Sequence, residues 1–248
     1  MTPARVLITG PTASGKSSLA RAVAGQLGAS VMTEEMPRPA GRTSVEADQL
    51  AAIEALQLLR TSPAPVVVEH RALHMQLEPT NDAFVVALEA TTSIRVDRLE
   101  HVAELRQTTF AERDLHVRST DSARRQGLRA ALGVDLSART AQLWRCDLIL
   151  ACPDRQTCAD PHNCRALTTQ LAMAALEVYR HHLGSATVTQ ARDAGTRLAD
   201  LIRVHPGRVR RCTAALTDLA AGVGLDRWRS RVVDDLSGTE TTEDVQHA

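Results

Sequence analysis

The sequence predicts an α/β fold: a doubly wound parallel sheet of five strands flanked by helices, with a helical lid and a C-terminal helical extension. Three observations carry this. Short apolar runs alternate with longer stretches of helical periodicity, the pattern of βα units. A glycine-rich stretch, "GPTASGKSS" at residues 10–18, joins the first apolar run to the first helical pattern. From about Gly184 the strand signals stop and only helical patterns remain.

The first strand is Arg5–Thr9, "RVLIT", with the β-branched and aliphatic content of a short buried strand. A helix over Ser17–Leu27 follows, with Leu19, Val23 and Leu27 at helical spacing and Gly28 as its C-cap. Further strands are expected at Ser30–Thr33, Pro65–Glu69, Phe84–Glu89 and Asp147–Ala151. The helices between them are Ser44–Leu59, with Leu50, Ile53, Leu56 and Leu59 on one face, Ser93–Leu105, and the highly charged Arg113–Leu132. Arg165–Leu183 carries the stripe Leu167, Leu171, Ala175 and Val178. In such a sheet ligands bind beyond the C-terminal ends of the strands.

Thr187–Leu236 reads as two or three helices broken at "HPG" (205–207) and "GVG" (222–224). Its apolar positions, Val188, Leu198, Leu201, Ile202, Leu216 and Leu219, suit packing against a core or a partner, including a second copy in a homodimer. The basic cluster "RVRRC" (208–212) reads as a solvated helix end before it reads as a nucleic-acid contact. The final "SGTETTEDVQHA" is polar, acidic and aperiodic, which predicts disorder. The organisation is therefore a core over residues 1–185 with its lid at about 108–135, a helical extension at 186–236, and a tail at 237–248. No internal repeat is visible.

Composition narrows the function classes. With 29 basic and 29 acidic residues in 248, no global field draws the chain to nucleic acid or to an anionic membrane. The longest apolar runs, "FVVALEA" and "LILAC", are too short to span a bilayer. The glycine-rich motif begins at residue 10, which leaves no room for a secretory leader before it, and a cytoplasmic protein is expected. Aromatic residues make up only 2%, so the core must be aliphatic and stacking platforms scarce. Three of the five cysteines recur as C-x5-C-x5-C at Cys152, Cys158 and Cys164, with His162 among them. Zinc sites use closer pairs, so reduced thiols are expected.

Gly10, Gly15, Lys16 and Ser17 fit G-x-x-x-x-G-K-[ST], in the strand–turn–helix setting that such a phosphate-binding loop needs. Backbone N–H groups over Gly10, Thr12, Ala13, Ser14, Gly15, Lys16, Ser17 and Ser18 would cradle the phosphates of ATP. Lys16 would follow the β- and γ-phosphates, and the Ser17 hydroxyl would hold Mg²⁺. Lys16 is the one lysine of the chain; every other basic residue is arginine. Arginine's planar fork fits that nest poorly, which accounts for the exception.

Mechanical ATPases need an apolar strand ending in Asp-Glu, whereas "PVVVEHR" (65–71) ends in Glu-His-Arg. A small GTPase needs Asn-Lys-x-Asp, and the single lysine is already used. Phosphoryl transfer to a small-molecule acceptor is left. Such an enzyme needs an acceptor site, cations for the transferring charge and a lid against water. Arg71 ends the third strand, where an acceptor's anion would lie. The charged helix supplies Arg113, Arg118, Arg124 and Arg125, although Asp114–Arg118 and Asp121–Arg125 are also i,i+4 pairs that would decorate any solvated helix. A regulatory nucleotide-binding protein, with the extension as its partner surface, is the alternative class.

Four stretches resemble the cytidylate kinase family of nucleoside monophosphate kinases. "VVVEHRALHMQLEP" is similar to its strand ending in Glu-Gly-Arg-Asp, and "VVALEATTSIRVDRL" (85–99) to its next strand and helix with x-x-x-Arg-x-x-Arg. "DSARRQGLRAALGVDL" (121–136) and "CDLIL" (146–150) resemble its lid and last strand. The resemblance implies ATP and Mg²⁺ at Lys16 and Ser17, and an acceptor phosphate at Arg71 beside Glu69. It also implies lid arginines at Arg118 and Arg124, oriented by Asp121. His70 stands where the family has glycine and Ala72 where it has aspartate, and residues 34–43 do not match. A specialised metabolite as acceptor is therefore the alternative to a nucleoside monophosphate.

Overall fold

The structure, a computed structural model, describes residues 3–34, 43–77, 83–100, 102–134, 146–152, 161–182, 186–205 and 208–209. Its five strands are β1 (Arg5–Thr9), β2 (Ser30–Met32), β3 (Val66–Glu69), β4 (Phe84–Glu89) and β5 (Leu148–Ala151). They form one sheet in the order β2-β3-β1-β4-β5, every pair parallel. The runs "VLI", "VVV", "FVVAL" and "LILA" are buried throughout, as a parallel sheet covered on both faces demands.

Six α-helices are described: α1 (Lys16–Leu27), α2 (Ser44–Thr61), α3 (Thr92–Leu99), α4 (Phe110–Leu132), α5 (Pro161–His182) and α6 (Val188–Val204). The chain steps one way from β1 to β2 and back from β2 to β3. Right-handed crossovers therefore place α1 and α2 on opposite faces. α5 packs on α1, and α4 packs along α2 and α3. Capping boxes start α2 at Thr43 and Glu46, α4 at Thr109 and Glu112, and α6 at Thr187 and Gln190.

Two helices differ from expectation. On α2 the buried side is Ala47, Ala52, Ala55 and Leu59, while Leu50 and Ile53 are exposed. Small residues let α2 approach the sheet and α4 closely, so the face is set by alanines and not by the large stripe. The single helix expected over Ser93–Leu105 is interrupted. α3 stops at Leu99, Val102 is extended, and a 3₁₀ turn follows at Ala103–Leu105.

Helix α6 and residues 208–209 join the core. Leu198 and Ile202 of α6 are buried in the main apolar cluster together with Val209. Val209 forms an antiparallel bridge to Leu150, and the Ala151 N–H donates to the Arg208 carbonyl at 2.9 Å. The start of "RVRRC" is thus a strand-edge segment, with Arg208 and Val209 buried, and not a solvated helix end. Val188 is exposed and takes no part in this packing. The expected helices beyond residue 209, the tail at 237–248 and residues 35–42 of the unmatched segment lie outside the described residues. No described helix is long and apolar enough to cross a membrane.

Candidate phosphate-transfer site

The loop after β1 owes its shape to two glycines. Gly10 has φ +144°, and a Cβ there would stand 2.6 Å from the Leu88 carbonyl oxygen. Gly15 has φ +92° and caps α1. Their freedom lets the loop curl over the helix N-terminus, where backbone N–H groups converge. Ser14 Oγ is buried with no hydrogen-bond partner in the structure, a donor that a bound anion would satisfy.

Lys16 is buried at the first position of α1. Its Nζ donates to the Pro11 carbonyl at 3.1 Å and lies 3.6 Å from Glu69 Oε1. Burial, reinforced by Arg71, pushes its pKa below the ordinary lysine value despite the pull of Glu69 and Glu34. The Ser17 hydroxyl donates to Glu69 Oε2 at 3.0 Å. Glu69 thus faces the loop's lysine and serine directly. A hydroxyl and a carboxylate in contact are the hard oxygen donors that Mg²⁺ takes, so these two residues fit that ion.

A cavity of about 670 Å³ opens in front of the loop, and Thr12, Ala13, Ser14, Gly15, Lys16, Ser17 and Ser18 line it. Because β1 is central in the sheet, the lining residues come from segments on both sides of it. On the β2/β3 side stand Glu34, Glu69 and Arg71, roofed by Thr120 and Arg124 of α4. Here the charges are paired. Arg71 Nη1 donates to Thr12 Oγ1 at 2.9 Å, and Thr12 Oγ1 donates to Asp121 Oδ1 at 2.8 Å. Arg71 also lies 3.6 Å from Asp121 and 3.7 Å from Glu34, while Arg95 of α3 pairs with the other oxygen of Asp121. Burial alone would raise the Glu34 carboxyl. Arg71, with His70, Lys16 and Arg124, outweighs it and holds Glu34 below the usual carboxylate range.

On the β4/β5 side the lining is Ile94, Arg98, Cys152, Cys164, Arg165, Thr168 and Thr169. The guanidinium of Arg98 donates to the Ser14 carbonyl, and Cys152 Sγ donates to the same oxygen at 3.3 Å.

Of the residues singled out from the sequence, Lys16, Ser17, Glu69, Arg71 and Arg124 line one cavity, and Asp121 is tied to its edge. Arg118 does not join them. Its side chain is 71% exposed and pairs with Asp114 at 2.8 Å, one turn back on α4. The helical period turns it to solvent when Thr120 and Arg124 face the mouth. Asp121 consequently orients Arg71 and Arg95, not Arg118. Glu34, Arg95 and Arg98 went unassigned in the sequence. Glu34 follows β2 on the C-terminal side of the sheet, a position that points to ligand. Arg95 and Arg98 are the two arginines of the x-x-x-Arg-x-x-Arg stretch, and Arg95 is buried.

The cysteines also depart from expectation. Cys146 and Cys152 form no disulfide, whereas Cys164 is disulfide-bonded. Its partner lies outside the described residues. Compartment constrains which bonds persist, not which thiols the fold brings together. Among the described residues no group of three His, Cys, Asp or Glu side chains is placed to hold a metal.

No family model matches the sequence, and no curated protein matches it. The fold is similar to an uncharacterized protein from Eubacterium ventriosum, at 12% identity and TM-score 0.45, covering 63% of this chain and 93% of that one. It is similar to a gluconokinase from Sinorhizobium meliloti, at 17% identity and TM-score 0.45, covering 70% and 91%. It is also similar to a shikimate kinase from Bacteroides thetaiotaomicron, at 13% identity and TM-score 0.41, covering 73% and 98%. Likeness at that level says nothing about reaction or acceptor.

Proposed function

We propose that this chain is an ATP- and Mg²⁺-dependent kinase that transfers the γ-phosphate to a small-molecule acceptor. One observation carries the reading: a glycine-rich phosphate loop whose lysine and serine meet Glu69, beside a half-buried Arg71 held ready by Thr12 and Asp121. Phosphoryl transfer asks little covalent chemistry of a protein; it asks for positioning and for cations where charge develops. Lys16 supplies a cation at the β/γ end. Arg124 and Arg71 supply it where the acceptor would approach. Ser17 and Glu69 would hold Mg²⁺, which neutralises phosphate charge when bound. The nucleoside end would run toward the β4/β5 side, leaving the β2/β3 side to the acceptor.

For the acceptor, a nucleoside monophosphate or a similar phosphorylated molecule is our first reading, since Arg71 offers a fork for an anion. A specialised metabolite without a base is the second. It is favoured by the absence of any aromatic side chain among the described lining residues, and by Glu34, an acceptor for a substrate hydroxyl. Purified protein with ATP, Mg²⁺ and a panel of nucleoside monophosphates and phosphorylated or carboxylated metabolites separates the two. Acceptor-dependent ADP formation with CMP, UMP or dCMP supports the first, and turnover confined to base-free acceptors supports the second. Basal hydrolysis unmoved by every acceptor contradicts both.

A further inference from the structure

Behind the β4/β5 side of the cavity, bonded to the lining residue Thr168, stands a buried cation that the phosphate-transfer reading does not use. Arg208 is 6% exposed, and its Nε and Nη1 are buried without hydrogen-bond partners. Among the described residues no carboxylate lies within ion-pair distance of it. Its backbone is fixed on both sides: its N–H donates to the His205 carbonyl at 3.0 Å, and its carbonyl accepts from Ala151. Its one side-chain bond runs from Nη2 to Thr168 Oγ1 at 2.5 Å. Thr168 lines the cavity and gives its own hydroxyl proton to the Cys164 carbonyl at 2.7 Å. Arg98 and Cys152 stand close enough to act on Arg208 electrostatically.

An uncompensated guanidinium is costly to bury, and the cost falls when an anion arrives. Around this one the cavity wall offers Arg98 and Arg165, both cationic, with Asp97 as the acidic lining residue on that side. A hydroxyl that accepts a charged hydrogen bond is also a stronger donor than a free one. Thr168 can turn its proton from a carbonyl to a ligand oxygen while Arg208 keeps it oriented.

We propose that Arg208, acting through Thr168 and alongside Arg98, forms an anion subsite for the phosphate nearest the nucleoside, a 5′-phosphate group. The proposal rests on the nucleotide reading above. It makes Arg208 a positioning residue contributed by the segment that follows α6, so that the C-terminal extension completes the nucleotide site. The placement follows from the sheet order: the transferable end of the phosphate chain faces Glu69 and Arg71 beyond β3. On that reading the nucleoside end runs toward β5, against which Arg208 is pinned.

The test is a ligand series on the full chain by calorimetry: ATP, ADP, AMP, adenosine and inorganic tripolyphosphate, with Arg208→Gln, Arg208→Lys and Thr168→Val. Arg208→Gln and Thr168→Val should each weaken ATP, ADP and AMP roughly tenfold or more, leaving tripolyphosphate and adenosine unchanged. Arg208→Lys should recover part of the loss, and the double variant should be no worse than the worse single. Should Arg208→Gln fail to fold, Thr168→Val carries the same comparison. Unchanged AMP and ATP affinity in the folded variants overturns the subsite alone. Equal loss for adenosine overturns it too, because the nucleoside and not its phosphate would then be what is held. A wild type that binds neither ATP nor tripolyphosphate overturns the nucleotide reading, and the subsite with it.

Discussion

The two sides of the cavity hold similar residues in opposite states of pairing. Beyond β3, Arg71 meets Thr12, Asp121 and Glu34, and Arg95 meets Asp121, so each guanidinium already faces a carboxylate, although the Nε of each has no hydrogen-bond partner. Beyond β5, Arg98 reaches a backbone carbonyl and Arg208 a hydroxyl, with two of its nitrogens unpartnered. A paired guanidinium is held in place before ligand arrives, which suits a site that must aim an acceptor. An unpaired one gains most when an anion binds, which suits the side proposed to retain a nucleotide. The loop with Lys16 joins the two.

Removing the junction should have the largest effect. Lys16→Ala should lower kcat at least ~10²-fold, because one preorganised donor at developing charge contributes roughly 2.7–4 kcal/mol. Far-UV circular dichroism should stay native, since this lysine faces ligand. Next comes the paired side. Asp121→Ala leaves Arg71 and Arg95 without their shared carboxylate and frees Thr12, so stability should drop by about 1–3 kcal/mol in urea. The acceptor KM should rise as well, because Arg71 loses its orientation.

The comparison sharpens with a crossed pair. Arg71→Ala should raise the acceptor KM roughly tenfold and leave that of ATP alone, and Arg98→Ala should do the reverse. Equal effects of both on both substrates would dissolve the division into sides. A smaller effect is protonic. Burial depresses Lys16, so the free protein sheds this proton at lower pH than an unfolded chain does. The unfolded chain then binds more protons, and the apo protein gains stability as pH rises through the window up to the ordinary lysine value. Bound phosphate restores the charge. Binding should therefore take up a fraction of a proton that grows over that alkaline window, seen by calorimetry in two buffers and absent in Lys16→Ala. Smallest of all, Arg118→Ala should cost a few tenths of a kcal/mol and no activity, since Arg118 decorates an exposed turn.

Those contrasts also show what was legible in the sequence. The strands could be read because "VLI", "VVV" and "FVVAL" are buried on both faces and so are continuously apolar. The loop could be read because its backbone geometry demands Gly10 and Gly15 at fixed spacing. Arg71 and Arg124 were placed from their position relative to those elements. Arg118 was assigned to the lid from the resemblance and from the place of its helix, whereas its spacing from Asp114 already offered the solvated pair that the structure shows. Arg95 and Arg208 were missed because their partners, Asp121 and Thr168, are distant in sequence and meet them only through packing. The alanine face of α2 was hidden because small residues carry a weak apolar signal even where they decide the closest approach.

The central claim is that the phosphate held by this loop leaves for an acceptor on the β2/β3 side. A single-turnover experiment with γ-labelled ATP, Mg²⁺ and the mixed acceptor panel tests it directly, in wild type and in Arg71→Ala. The account predicts label on an acceptor in the wild type, and a shift toward slow release of labelled inorganic phosphate when Arg71 is lost. Label released entirely as inorganic phosphate by the wild type, at a rate indifferent to every acceptor, would contradict it.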